Sequence, residues 1–222
     1  MNEALSARTD TKSRILDAAE KLFAVNGFQE TSLRDITAEA DVNLAAVNYH
    51  FQSKDSLIDA VIARLVEPMN RRRLQLLDNA GPDATVHQIL AAFLNPIMDA
   101  PVDALAPLFG RVMSNPDMFV DRVFKQHFAP VSQRVAESLS RALPELDRTE
   151  LLWRLHFCVG VMTHLLLWGK IIPRVTNGTC DMTDRQQLLD RTIQFLEAGF
   201  QAPAFGVASG LGPTMTGKVH EL

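Results

Sequence analysis

An all-α fold, with a small N-terminal three-helix bundle and a larger helical body, is what this chain of 222 residues predicts. Apolar residues recur at helical spacing through most of its length, capping residues stand ahead of the periodic runs, and strand signals are absent. Hydrophobic residues at 47%, charged residues at 22%, and 11 each of Gly and Pro permit a sizeable core and exclude collagen-like, low-complexity and wholly disordered chains.

In chain order, Ile15, Ala18, Ala19, Leu22 and Phe23 form one face of a first helix over 11–26, stopped by Gly27. Ser32 with Asp35 three positions later starts a second, two-turn helix to Ala40. Asp41-Val42-Asn43 forms a tight break, Asn43 capping a third helix from Leu44 to Phe51. Ser53 caps a fourth from Lys54, with Leu57, Ile58, Val61, Ile62 and Leu65 on its apolar face; Pro68 should kink or interrupt it before it resumes to about Asn79. Thr85 with Gln88, Asp147 with Glu150 and Thr183 with Gln186 match capping boxes, and Asp103 and Pro116 mark two more starts. The count is about nine helices, divided as 1–53, 54–200 and a flexible tail over 201–222.

Charge and cysteines narrow the classes. With 22 Lys+Arg against 26 Asp+Glu the net charge is −4, so no global positive field points to nucleic acid. Cys158 and Cys180 show neither a disulfide framework nor zinc-ligand spacing, and His156 with His164 lacks the partners of a metal site, so no metal or cofactor is expected. The N-terminus lacks a secretory pattern, and the apolar stretch Leu155–Trp168 is too short for a membrane span, so a cytoplasmic location without membrane partners is expected. A nucleophile elbow, a phosphate-cradling glycine loop and HExxH are all missing, so no catalysis is expected.

Two short helices around a three-residue break, behind a longer lid helix, are the plan of a helix-turn-helix unit. Its second helix projects an exposed face to a major groove while Ala46, Val47 and Phe51 hold it from behind. The run Arg14 to Ala19 through Leu22-Phe23 and Gly27-Phe28, then Thr31 to Ile36, Val42-Asn43, Tyr49-His50-Phe51 and Lys54, resembles the N-terminal domain of the TetR family of transcriptional repressors. Carried over by position, the resemblance implies that Leu44, Ala45, Asn48, Tyr49 and His50 face the groove and its backbone, beside the cap Asn43. It places Ser32, Arg34 and Lys54 at phosphates. Chemically, Tyr49 and His50 can donate to phosphate oxygens, Asn48 can pair with adenine and Leu44 can meet a thymine methyl. Asp41 stands where the family generally has Gly, and Asn48 where it often has Tyr. In this unit, residues 1–54 hold six Lys or Arg and eight acids, so the basic ones should share a face.

The segment Val42–Phe51, with Arg71-Arg72-Arg73-Leu74 and Trp153–Phe157, is similar to the PsrA-like branch, regulators of fatty-acid degradation. The TetR resemblance implies a homodimeric repressor on a palindromic operator, and the likeness to this branch implies release by a long-chain fatty acid or its acyl-CoA. A drug-like or aromatic effector, and a ligand-binding protein that has lost DNA binding, remain alternatives. Candidate pocket residues are Phe93, Phe109, Arg111, Met113, Phe124, His127, Phe128, Trp153, Phe157 and Trp168, with Met98, Met118, Phe119 and Met162 of the same type. Cations or donors for an acidic head group are Arg111, Arg122, His127, Arg154, His156 and His164. The Arg71–Arg73 triplet reads as a solvated face, with contacts to ligand or DNA left open. The last two helices, about 148–170 and 184–200, carry apolar residues beyond one stripe; the surplus stripe, buried against its copy, would give a two-fold four-helix interface.

Overall fold

The computed structural model describes residues 2–100, 102–114 and 119–205, with side chains described for all of these except 2–9, 102–103 and 119–122. Its elements are α1 (Asn2–Asn26), α2 (Leu33–Ala40), α3 (Leu44–Phe51), α4 (Lys54–Ala80), α5 (Val86–Met98) and α6 (Val102–Met113). They continue with a π-helical α7 (Phe119–Phe128), α8 (Ala129–Ala142), α9 (Arg148–Trp168), the single turn α10 (Ile172–Val175) and α11 (Arg185–Gln201). Among the described residues there is no strand.

Local chemistry explains the head. Gly27, at φ 92°, ends α1, and the buried Thr31 hydroxyl donates to the Gly27 carbonyl at 2.8 Å. Ser32 and Asp35 form the reciprocal capping box of α2, and Asn43 Oδ1 accepts from the Ala46 N–H at 2.8 Å to start α3. Asp41 occupies the left-handed region, φ 50° and ψ 54°, which accounts for its tolerance where glycine is usual. Arg14 of α1 reaches across to donate to the Ala40 and Asp41 carbonyls at 2.6 and 2.9 Å, so the turn is tied from outside as well as within.

Several expectations are corrected. Helix α1 starts at Asn2 rather than near 11, and α4 runs unbroken through Pro68. The ring removes one backbone donor, but Val66, Met69, Asn70 and Arg73 are buried on either side of it, and that packing holds the helix together. The cap of α11 is Asp184, accepting from Gln187 N, because Thr183 instead donates through its N–H and hydroxyl to the Asp181 carboxylate. Those bonds hold the Asp181 carboxyl below its ordinary range, the Thr183 N–H contributing most. At α9 the Asp147 side chain caps the Glu150 N–H. The Pro116 start lies outside the described residues, as does the tail beyond 205, while α11 extends to Gln201.

Two apolar clusters share α4. The first joins Ile15, Ala19, Phe23, Ile36, Val47 and Phe51 of the head to Leu57, Ile58, Val61, Ile62 and Val66 of α4 and to Leu105, Leu108 and Val112 of α6, so packing is continuous across 53/54. The second gathers Leu77 with α5, α8, α9 and α11 through Ile89, Leu90, Val135, Leu139, Leu155, Ile193 and Phe200. Helix α9, with 21 residues, is long and apolar enough to cross a membrane by length and composition, contrary to the shorter stretch expected; Leu151, Leu155, Cys158 and Leu166 nevertheless face the protein interior.

Candidate functional site

The head presents α3 outward. Leu44, Ala45, Asn48 and Tyr49 are exposed, Tyr49 at 63%, while Val47 and Phe51 are buried beneath them and His50 is half-buried, edge-on to Tyr49 with ring centroids 5.1 Å apart. One face of a two-turn helix is therefore anchored and the opposite one offered to a groove. Arg34 and Ser32 are exposed at the start of α2. The Ser32 hydroxyl donates to Asp35 Oδ2 at 2.7 Å, so its proton is committed to the cap. That hydroxyl, and then the Ser32 N–H, hold the Asp35 carboxyl below its usual range. Lys54 Nζ donates to the Gln29 carbonyl at 3.1 Å, and Lys21 pairs with Glu39 at 2.6 Å. With Arg14 on the turn, three of the head's cations are thus engaged with its own backbone or acids.

The body holds a partly open cavity of about 1050 Å³ between α4, α5, α6, α7, α8 and α9. Phe93, Phe109, Met113, Phe124 and Phe128 line it, as does Met162. Wide π-helical turns such as α7, which supplies Phe124 and Phe128, recur at functional sites.

Five of the candidate pocket residues lie elsewhere. Arg111 donates to the Val25 carbonyl at 2.9 Å, docking α6 on the end of α1. His127 accepts through its carbonyl from Asn70 Nδ2, and its buried Nε2 has no partner among the described residues. Trp153, Phe157 and Trp168 stand on the outer face of α9, exposed by half or more, with Trp153 and Phe157 stacked at 5.9 Å. Bulky aromatic character marked an apolar surface here, and the inner face is built from Leu151, Leu155, Cys158 and Leu166 with Arg154.

Among the candidate head-group cations, Arg154 is taken out of contention by its own bonds: it holds Glu150 in a part-buried ion pair at 2.7 Å and donates to the carbonyls of Gly199, Phe200, Ala202 and Pro203 at the end of α11. His156 borders the cavity from an exposed position, His164 stacks on Trp168, and the side chains of Arg122, Met118 and Phe119 lie outside the described residues.

The residue that sequence reasoning placed on a solvated face is Arg73. It is fully buried, at 0% exposure, on the cavity wall. Nε donates to the Phe93 carbonyl at 2.7 Å, Nη1 to Asn70 Oδ1 at 3.1 Å and Nη2 to Met162 Sδ at 3.3 Å; the guanidinium carbon lies 4.5 Å from the Phe93 ring centroid. Burial pulls the guanidinium down to about 10, still cationic at neutral pH, and burial pushes the neighbouring Cys158 thiol up to about 12. The spacing Val66, Met69, Arg73, Leu77 puts Arg73 on the inward face, which was a readable signal. Among the described residues no group of three His, Cys, Asp or Glu is placed to hold a metal.

A helix-turn-helix head on a cavity-bearing helical body defines a DNA-binding-regulator architecture. Residues 15–61 match the family of bacterial regulatory proteins called tetR, and residues 91–199 match the tetracyclin repressor-like C-terminal domain. The chain belongs to the TetR family, whose members are transcriptional regulators and not enzymes. It is 31% identical over 83 residues to the probable regulator YttP of Bacillus subtilis, covering 37% of this chain and 40% of that one. It is 30% identical over 98 residues to the nicotine-responsive repressor HdnoR of Paenarthrobacter nicotinovorans, covering 44% of this chain and 50% of that one. The matched segment thus spans half or less of these relatives. Over 85% of this chain and 90% of the other, the fold superposes on a putative transcriptional regulator from Pseudomonas aeruginosa PAO1 with a TM-score of 0.59 at 20% identity.

Proposed function

We propose that the chain is a homodimeric transcriptional repressor that binds a palindromic operator in the cytoplasm and is released by a small effector with a large apolar part, a long-chain fatty acid or its acyl-CoA. The observation that carries this reading is α3, whose Leu44, Ala45, Asn48 and Tyr49 stand exposed over a buried Val47 and Phe51. On this reading residues 1–53 are the DNA-binding head, with Arg34, Lys54 and His50 at the backbone and Asn43 and Ser32 holding the helix starts, while 54–200 bind effector and partner.

The outer aromatic face of α9 supports dimerisation: Trp153, Phe157 and Trp168, with Phe195 on α11, form exposed apolar surface of the kind a two-fold contact buries. Helix α4 supports the coupling, since it carries Lys54 at the head and Arg73 at the cavity. Arg64 of α4 pairs with Asp17 and Glu20 of α1, and Arg111 ties α6 to α1, so movement of the cavity wall is transmitted to the head. Effector coupling of about 2–3 kcal/mol lowers operator affinity about 30- to 150-fold.

A second reading, an aromatic or drug-like effector, is favoured by the four phenylalanines on the cavity wall and by the nicotine response in the name of HdnoR. Mobility-shift titration with duplexes tiled over the gene's upstream region tests the regulator itself. One duplex retained by two chains is the expected result, and the absence of any shifted complex overturns it.

A further inference from the structure

We propose that Arg73 is an internal anion anchor, so that the effector is a free organic carboxylate whose head group sits on this guanidinium while its apolar body lies along Phe109, Phe124 and Phe128. The inference rests on the reading above that the cavity takes an effector, and it narrows that effector to one charge and one end.

The argument comes from how the protein treats the two buried arginines among the described residues. Arg154, 7% exposed, has a carboxylate partner in Glu150 and four backbone carbonyls, which satisfy both its charge and its donors. Arg73 is buried more deeply and meets only neutral groups: a carbonyl, an amide oxygen and a thioether, the last a weak acceptor. Those bonds use three of the five guanidinium N–H groups of a side chain on the cavity wall and leave two for a further acceptor. An isolated cation in an apolar interior is costly unless a counter-charge reaches it, and a carboxylate accepts the forked donors of arginine in parallel.

Among the described residues the wall supplies no such counter-charge. The one acid among its described residues, Glu137, is exposed and accepts from Gln133, and the described ion pairs include none at Arg73. The remaining ionisable wall groups, Arg141, Arg148 and His156, are exposed. Arg73 therefore favours a head group small enough to enter fully, a carboxylate rather than the phosphates and nucleotide of a thioester. Asn70 accepts from Arg73 while donating to the His127 carbonyl, which places the anchor one hydrogen bond from α7.

The test is displacement of the neutral fluorophore N-phenyl-1-naphthylamine from the full chain by dodecanoate, 1-dodecanol and dodecanoyl-CoA, in wild type, Arg73→Gln and Arg73→Lys. Wild type is expected to bind dodecanoate about tenfold or more tighter than the alcohol, in line with hydrogen bonds between charged groups. Arg73→Gln should lose that preference while keeping the alcohol, and Arg73→Lys should keep part of it. Equal affinities for acid and alcohol in wild type, a preference unchanged in a folded Arg73→Gln, or tighter binding of the CoA ester would each overturn the anchor while leaving the cavity a binding site. If Arg73→Gln does not fold, by circular dichroism, the wild-type acid-to-alcohol ratio decides alone. Failure of all three ligands to displace the fluorophore, or of the fluorophore to bind, overturns the cavity reading and the anchor with it.

Discussion

The head and the body use their polar side chains in opposite ways. In the head, Ser32, Asn43, Arg14 and Lys54 lie at or near the surface and bond to backbone groups at helix ends and turns. In the body, Arg73 and Arg154 are buried among apolar helices, one on a cavity and one sealing the end of α11. The contrast teaches that the head is shaped by short-range bonds that fix a reading surface, whereas the body keeps charge in its interior, where each group depends on a distant partner.

The comparison breaks most visibly if a buried charge can be unpaired without consequence. Glu150→Ala, which strips Arg154 of its carboxylate, should cost about 3–5 kcal/mol in chemical denaturation; a change near zero would mean that the four carbonyls suffice. Phe51→Ala, removing the ring that holds α3 from behind, should cost a similar amount, about 3–5 kcal/mol, and lower DNA binding with it. At the surface the effects shrink. Asn43→Ala should cost about 1 kcal/mol through loss of the α3 cap, and Lys21→Ala, whose pair with Glu39 is exposed, less than about 1 kcal/mol.

Acid and thiol chemistry sharpen the same contrast. The Asp35 carboxyl is held below its unfolded value, so its contribution is present above that value and is lost as pH falls through the lower folded one. Acid unfolding should therefore be less steep at the low end in Asp35→Asn than in wild type, and superimposable titrations would remove the capping box from the account. In the body, the buried Cys158 thiol, raised to about 12, should resist iodoacetamide at pH 8 while the exposed Cys180 reacts. Mass spectrometry showing equal labelling of both would contradict that burial.

How much was legible follows the same division. The starts of α2, α3 and α4 were readable because each is written within four residues, as Ser32 with Asp35, Asn43 with Ala46 and Ser53 with Ser56. The exposed face of α3 was implied by the TetR resemblance, and Val47 and Phe51, one turn apart, mark its buried side. In the body, the aromatics Phe93, Phe109, Phe124 and Phe128 were read onto the cavity, but Trp153, Phe157 and Trp168, of the same chemistry, point outward, because composition does not say which face of α9 meets its neighbours. The π-helical turns of α7 and the continuity of α4 through Pro68 depend on packing from other elements. Arg73 was hidden by its neighbours: Arg71, paired with Glu67, and Arg72 are exposed, and successive helical residues turn to different faces.

The most direct test of the account is the affinity of the full chain for an upstream duplex, by fluorescence anisotropy, with and without saturating dodecanoate, in wild type and Tyr49→Ala. The account predicts tight wild-type binding that dodecanoate weakens about 30-fold or more, and weak binding by a Tyr49→Ala protein that still dimerises. Wild-type affinity indifferent to dodecanoate, or a Tyr49→Ala protein that binds as tightly as wild type, would contradict it.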